Sequence, residues 1–315
     1  MSDRSILVFY PQASEARAHA ELMRLPRKGL TVHVASSVEE AAALIGQVEI
    51  LYAWHFPRRL LPWAARLRWA QCMGAGVERF LGPELPPRVI VTRAAGIFGP
   101  WMAEYTIARC LWVTQRIEHF RRQQQERRWA PADPIPLRGR TLCIVGLGDI
   151  GRAIGKTARA LGMRVIGVSR RGRRVREADR VYKTGALRRA LGEADFVVLT
   201  VPLLPETRGL IGAAELAAMK PSVWLINIAR GPVADEGAFL RALSERRIGG
   251  AVLDVFDQEP LPPDHPFWRL DNVAITPHIA GPSTPAEIAP IFNDNLRRYL
   301  AGRPLRYIVD RRRGY

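Results

Sequence analysis

Residues 141–171, TLCIVGLGDIGRAIGKTARALGMRVIGVSRR, constrain the fold more than any other stretch of the chain. They read as an apolar strand from Leu142 to Val145, a turn on Gly146, Gly148 and Gly151, a helix, and a second strand ending at Val168. Each glycine has its own reason. Gly146 permits the tight turn, Gly148 lets backbone approach a pyrophosphate, and Gly151 lets the helix pack closely on the strand. The helix opens at Asp149 and Ile150, where unpaired N–H groups and the positive dipole end face the phosphates. This pattern predicts a dinucleotide-binding βαβ unit. Asp149 is an acid where none helps a phosphate, so its side chain is expected to face solvent.

The end of the second strand bears on which dinucleotide is bound. A site selecting NAD usually carries Asp or Glu there, to accept hydrogen bonds from the ribose 2′-hydroxyl. Here the residues are Ser169, Arg170 and Arg171. A 2′-phosphate is repelled by a carboxylate and held by guanidinium forks. The expected cofactor is therefore NADP(H), with NAD(H) as the alternative. The competing reading is solvated surface in an arginine-rich chain. Of the 47 basic residues only four are Lys, leaving 43 Arg, and the net charge is +17. These arginines are scattered rather than gathered in one patch, which argues against a nucleic-acid partner.

About 140 residues precede the fingerprint, and they too look α/β. Apolar runs at Ile6–Tyr10, Thr31–Ala35, Ile50–Trp54, Leu67–Met73 and Val89–Thr92 read as buried parallel strands. Helices are expected at Ser14–Leu25, capped by Ser14, at Ser37–Ile45, and as one long helix from Pro100 to Arg128. Downstream, strands are expected at Phe196–Thr200, Val223–Ile228, Gly250–Leu253 and Val273–Ile275. Helices are expected at Ala213–Met219, Glu236–Arg246 and Pro285–Leu300. Strands alternating with helices imply parallel sheets covered on both faces. Cys72, Cys110 and Cys143 are too few and too separated for a disulfide framework, and no Cys/His spacing suggests a metal. No run of 18 apolar residues is present, and the N-terminus lacks the apolar core of a signal peptide, so the expectation is a cytoplasmic protein with no membrane partner.

Three downstream segments place polar groups just past apolar strands, at the edge where open α/β sheets bind ligands. VWLINIARGP brings Ile228, Ala229 and Arg230; AVLDVFDQEPL brings Asp254 and Glu259; VAITPHIAG brings His278. Arg230 can bind a planar carboxylate through its fork. His278 can act as acid or base near neutrality. Glu259 can hydrogen-bond the imidazole and orient it. Asp254 can either orient the loop or support the cofactor. Upstream, MGAGVE offers consecutive backbone N–H groups with little bulk, so Met73, Gly74, Ala75 and Gly76 form a candidate carboxylate nest. Trp54, Trp101 and Trp268 can wall a pocket for small acids.

With the mid-chain fingerprint, the ordered N-x-x-R-G, D-V-F-x-x-E-P and T-P-H-I-A motifs resemble the D-2-hydroxyacid dehydrogenase family over essentially the whole chain. Trp54-His55, MGAGVE, WMAEY, SRR, LPPDHPFW and the terminal VDRRRGY bring the resemblance closest to its glyoxylate/hydroxypyruvate reductase A type. The resemblance implies two doubly wound parallel-sheet domains. One is a flavodoxin-like substrate domain, residues 1–98 with 286–315; the other is an inserted Rossmann nucleotide-binding domain, residues 99–285. It implies NADPH-dependent reduction of glyoxylate and hydroxypyruvate by Arg230, Glu259 and His278. It also implies a homodimer, a cofactor-lining role for Thr106, and an adenine-side loop at Val201-Pro202. The segment RAAGIFGP, residues 93–100, departs from the acidic stretch expected there, which bears on substrate preference. A non-catalytic dinucleotide sensor, or a family member acting on another 2-keto acid, are the alternative readings.

Overall fold

The computed structural model describes residues 4–24 and 29–315. It separates into two compact units. The first runs to Ile97 and resumes from Ser283 to Tyr315; the second is Phe98–Pro282. In chain order the first unit contains β1 (Arg4–Phe9), α1 (Ala13–Glu21), β2 (Leu30–Ala35), α2 (Val38–Leu44), β3 (Ile50–Ala53), β4 (Trp69–Cys72) and β5 (Ile90–Arg93). The second contains α3 (Phe98–Thr114), α4 (Ile117–Gln125), β6 (Thr141–Val145), α5 (Asp149–Ala160), β7 (Arg164–Ser169), β8 (Arg180–Lys183), α6 (Leu187–Glu193) and β9 (Phe196–Leu199). It continues with α7 (Ala213–Ala217), β10 (Trp224–Asn227), α8 (Glu236–Ser244), β11 (Gly250–Leu253) and β12 (Val273–Ile275); α9 (Pro285–Leu300) then returns to the first unit.

Both sheets are parallel throughout the described residues. The first has the order β2-β1-β3-β4-β5, the flavodoxin-like arrangement. The second has the order β12-β11-β10-β9-β6-β7-β8, the doubly wound Rossmann arrangement with an added strand. The order reverses between β1 and β3 in one sheet and between β6 and β9 in the other. The central strands read as unbroken apolar runs because helices cover both faces: Ile6, Leu7 and Val8 are fully buried, as are Leu142, Cys143 and Ile144. Burial pushes the Cys143 thiol up to about 12, so it packs as a core residue.

Local chemistry sets several boundaries. Ser37 caps α2 by accepting from the Glu40 N–H, and the Glu40 side chain answers to the Ser37 N–H, a full capping box. Ser14 is not the cap of α1. The helix starts at Ala13 after Gln12, which makes no side-chain cap bond, so Ser14 lies inside the first turn. The expected end of that helix at Leu25 falls outside the described residues. The long helix expected from Pro100 to Arg128 is two helices, broken at Arg116, whose φ is 51°. Continuation would need the Thr114 carbonyl as an acceptor for the next turn, and the Ile135 N–H occupies it at 2.8 Å. The edge strand β8 and the helix α6 lie outside the expected elements, although Leu187, Ala190 and Leu191 of α6 are buried at helical spacing.

The core of the first unit is a set of stacked rings. Phe292 of α9 lies between Tyr52 and Trp69, at centroid distances of 4.2 and 5.2 Å, and this docks the returning helix on the sheet. The chain end is tied down too. Val309 donates to Val91, and Arg311 donates to the carbonyls of Leu85, Pro86 and Pro87. Against Tyr52 sits His19, fully buried, with its Nδ1 2.8 Å from the Tyr52 hydroxyl. Burial pushes its imidazole down to about 4.

Between that value and the ordinary histidine value of about 6.5, the unfolded chain binds a proton that the folded one does not. The stability contribution is therefore complete above about pH 6.5 and declines as pH falls toward 4, by an amount on the order of 3 kcal/mol. Urea unfolding at pH 7 and pH 4.5 is expected to show a larger loss for wild type than for His19→Gln. Equal losses would show that His19 is not the titrating group.

Candidate active site

The fingerprint turn follows β6 at the point where the sheet order reverses. Gly146 has φ 110°, and a Cβ there would lie 2.9 Å from the Thr200 backbone; Thr200 in turn donates its hydroxyl to the Gly146 carbonyl. Val201 packs on the same turn, and the Pro202 carbonyl accepts from Thr207. Gly148 precedes α5 with no side-chain cap bond, and nothing lies within 4 Å of a Cβ built on it. Asp149 is exposed, as expected, and Ile150 is partly buried beside it. At the end of β7, Ser169 accepts from the Gly172 N–H through its hydroxyl, closing a turn that presents Arg170 and Arg171 on the exposed surface. The nearby acid, Glu177, is engaged: Arg152 of α5 grips both its oxygens at 3.1 Å and holds its carboxyl down to about 2.

Three neighbouring strands, β10, β11 and β12, deliver the polar segments to one sheet edge. Asn227 shapes the first: its side chain accepts from the Ala229 N–H and donates to the Arg230 carbonyl, at 3.1 and 3.0 Å. Ile228 and Ala229 are buried, and the backbone at Arg230 is extended. Gly231 meets the second segment so closely that a Cβ would stand 2.1 Å from the Phe256 carbonyl carbon. On that segment the Glu259 carboxylate accepts from the Phe256 N–H at 3.0 Å. Its other oxygen lies 2.8 Å from His278 Nδ1 on the third segment.

Asp254 decides where His278 stands. It is 1% exposed and accepts from the Ile279 and Ala280 N–H groups at 2.9 Å and from the Thr276 hydroxyl at 2.6 Å. The His278 N–H donates to its carbonyl at 2.9 Å. These bonds hold His278 at φ 55°, a left-handed conformation that costs a non-glycine residue about 1 kcal/mol or more. The Tyr105 hydroxyl lies 2.6 Å from the Thr276 hydroxyl, which continues the network into α3. Partial burial works against ionisation of Glu259. The hydrogen bonds from His278 and Phe256 and the charge of Arg230 outweigh it and hold the carboxyl below its usual range.

Two expectations change here. Every carboxylate oxygen of Asp254 is bonded to the loop, so of its two readings the structure favours loop orientation over contact with a cofactor. Thr106 is fully buried and donates its hydroxyl to Met102 within α3, so it has no surface to line a cleft. Asn227, Thr276 and Tyr105 were missed as site residues, although the asparagine of N-x-x-R-G and the tyrosine of WMAEY were visible signals.

In the first unit, the loop after β4 is narrower as a nest than its sequence suggests. The Met73 N–H pairs with the Ala53 carbonyl, and the Gly74 N–H faces the Cys72 sulfur at 3.4 Å. Ala75 and Gly76 are left to present amides. The Trp54 ring covers Gly74, with Cζ3 3.2 Å from a Cβ position there. Trp268, in the second unit, is half exposed with its indole N–H on the Pro262 carbonyl, and Trp101 is exposed on α3.

The sequence profile of the D-isomer specific 2-hydroxyacid dehydrogenase NAD binding domain matches residues 107–280. The chain belongs to that family. It is accordingly an NAD(P)-dependent dehydrogenase. A glyoxylate reductase of Aeropyrum pernix is 36% identical over 265 residues, 80% of this chain and 79% of the relative. A glyoxylate/hydroxypyruvate reductase A of Photorhabdus laumondii is 32% identical over 270 residues, 83% and 86% of the two chains. The crystal structure of an NADPH-dependent glyoxylate/hydroxypyruvate reductase of Sinorhizobium meliloti, in complex with NADP and sulfate, superposes with a TM-score of 0.91 at 28% identity, covering 100% of both chains.

Removing the Asp254 carboxylate strands two backbone donors and a hydroxyl. Asp254→Ala in this dehydrogenase is expected to lose about 2–4 kcal/mol of stability, read by chemical denaturation. A loss within 0.5 kcal/mol, as for an ordinary surface change of about that size, would contradict the clamp.

Proposed function

We propose that the enzyme reduces small 2-keto acids, glyoxylate and hydroxypyruvate, with NADPH. The observation that carries the reading is the Glu259–His278 pair at 2.8 Å on the sheet edge that also bears Arg230. The names of the relatives support the substrate class. The open space at Gly148 and the uncapped start of α5 fit a pyrophosphate held by Gly146, Gly148, Asp149, Ile150 and Gly151 through backbone. The exposed turn at Ser169, Arg170 and Arg171 fits a 2′-phosphate, and Val201, Pro202, Ile228 and Ala229 supply apolar surface around the cofactor.

When bound, the nicotinamide supplies the hydride. In the second unit Arg230 is the proposed substrate-holding fork, and in the first unit the amides of Ala75 and Gly76 are the proposed carboxylate nest. The imidazolium of His278 donates its Nε2 proton to the ketone oxygen as that oxygen gains charge, and is left neutral. Glu259 accepts from Nδ1–H, which fixes the orientation of the ring. The His278 side chain is 47% exposed, so solvent returns the proton. Trp54, lying over Gly74, limits the substrate to small acids. We also propose a homodimer through the α3–α4 region, where Leu111, Ile117 and Phe120 are exposed and Trp129 is 98% exposed. Among the described residues no helix is long and apolar enough to cross a membrane.

NADPH oxidation with glyoxylate or hydroxypyruvate is expected to exceed NADH oxidation by about tenfold or more in kcat/KM, the scale of one good charge-assisted contact. Turnover of neither acid would refute the reading. His278→Ala is expected to lower kcat by about 10²- to 10⁴-fold with NADPH affinity unchanged. Because Glu259 titrates low, activity is expected to persist as pH falls toward the usual carboxylate value of about 4.3, and to fail only below it. An acid limb well above that value would remove Glu259 from the role.

A further inference from the structure

The sheet of the first unit reverses its strand order between β1 and β3, the place where an open α/β sheet forms its crevice. The first residues beyond those strands are Tyr10 and Trp54. Both are anchored by backbone: the Tyr10 N–H donates to Ala35 and the Trp54 N–H donates to Phe9. Their rings stack, with centroids 6.0 Å apart and planes 23° apart. Tyr10 also stacks on His19, at 5.9 Å and 22°. At the far end the indole of Trp54 lies against Gly74, in the loop that presents the Ala75 and Gly76 amides. The result is a column of rings, His19, Tyr10 and Trp54, ending on the proposed carboxylate nest.

The column has a fixed base. His19 meets Tyr52 edge-on at 5.2 Å and 89°, and Tyr52 stacks on Phe292 in the core. His19 therefore cannot swing without disturbing the packing of the whole unit. Tyr10 and Trp54 are both only partly buried. An indole at a sheet edge has two rotatable bonds, and against Gly74 there is no side chain to stop it turning. The rings that flank it are His55, tilted at 5.0 Å, and Tyr10, stacked at 6.0 Å.

We propose that Tyr10 is a positioning residue for substrate selection, holding the Trp54 indole across Gly74 so that the site accepts 2-keto acids with a small group on the carbonyl and excludes bulky ones. The proposal rests on the reading of the protein as a 2-keto acid reductase. The stack needs the aromatic ring and not the hydroxyl, which burial and the nearby Glu15 keep protonated. Phenylalanine should therefore replace tyrosine, and alanine should not.

The test uses the full chain, as wild type, Tyr10→Phe and Tyr10→Ala, with glyoxylate as the small acid and phenylpyruvate as the bulky one. In Tyr10→Ala the glyoxylate KM is expected to rise about tenfold and the phenylpyruvate-to-glyoxylate ratio of kcat/KM to rise about tenfold or more, the range of apolar-pocket discrimination. The KM for NADPH is expected to stay within about twofold, and Tyr10→Phe to match wild type within about twofold in every constant, both differences being under 0.5 kcal/mol. Loss of stability in Tyr10→Ala with an unchanged ratio would make Tyr10 ordinary packing and overturn the proposal. Calorimetric binding of oxalate to the same three proteins gives a readout independent of turnover. About fivefold weaker binding to Tyr10→Ala alone supports the column, and equal binding overturns it. A wild type that binds oxalate in this pattern but reduces no keto acid would refute the reductase reading and leave the column standing.

Discussion

Asp254 buries a carboxylate at the end of β11 and gives both oxygens to the loop beyond β12. A polar group so far from water is tolerated only where hydrogen bonds replace its solvation, and here two amides and a hydroxyl do so. The return is geometric. The loop cannot relax away from its left-handed turn at His278, and the imidazole stays within reach of Glu259. The position of His278 thus depends on Asp254, which bonds the backbone of its loop. The same economy appears one strand over, where the Asn227 side chain closes the loop that carries Arg230.

Each unit has its own parallel sheet with one reversal of strand order, and the two reversals carry different groups. In the second unit it holds backbone: a glycine turn, an uncapped helix start and the Thr200 clamp on Gly146. Backbone suits a pyrophosphate, which needs donors and close approach more than shape. In the first unit the reversal holds rings, stacked from the core to Trp54.

Much of this was legible in sequence. Runs such as ILVF and LCIV name buried parallel strands directly, since both faces of such a strand are covered. The glycines at Gly146 and Gly151 are legible because no other residue fits their backbone. His278, Glu259 and Arg230 stood out as polar groups just beyond apolar runs. Less was legible where a local signal met a distant partner. Thr106 looked available for a cofactor, but its hydroxyl turns back to Met102. The helix through Arg116 looked continuous, but Ile135 takes the Thr114 carbonyl. Met73 and Gly74 looked like nest amides, but Ala53 and the Cys72 sulfur already engage them.

The order of strands and helices, the α/β class and the candidate chemistry follow from the sequence itself, because strand burial, helix starts and glycine turns are written within a few residues. What only the tertiary structure decided is which polar groups are still available for chemistry. That depends on partners tens or hundreds of residues away, as with Asp254 and the His278 loop, or His19 and Tyr52. Only the folded chain says which donors and acceptors are already engaged.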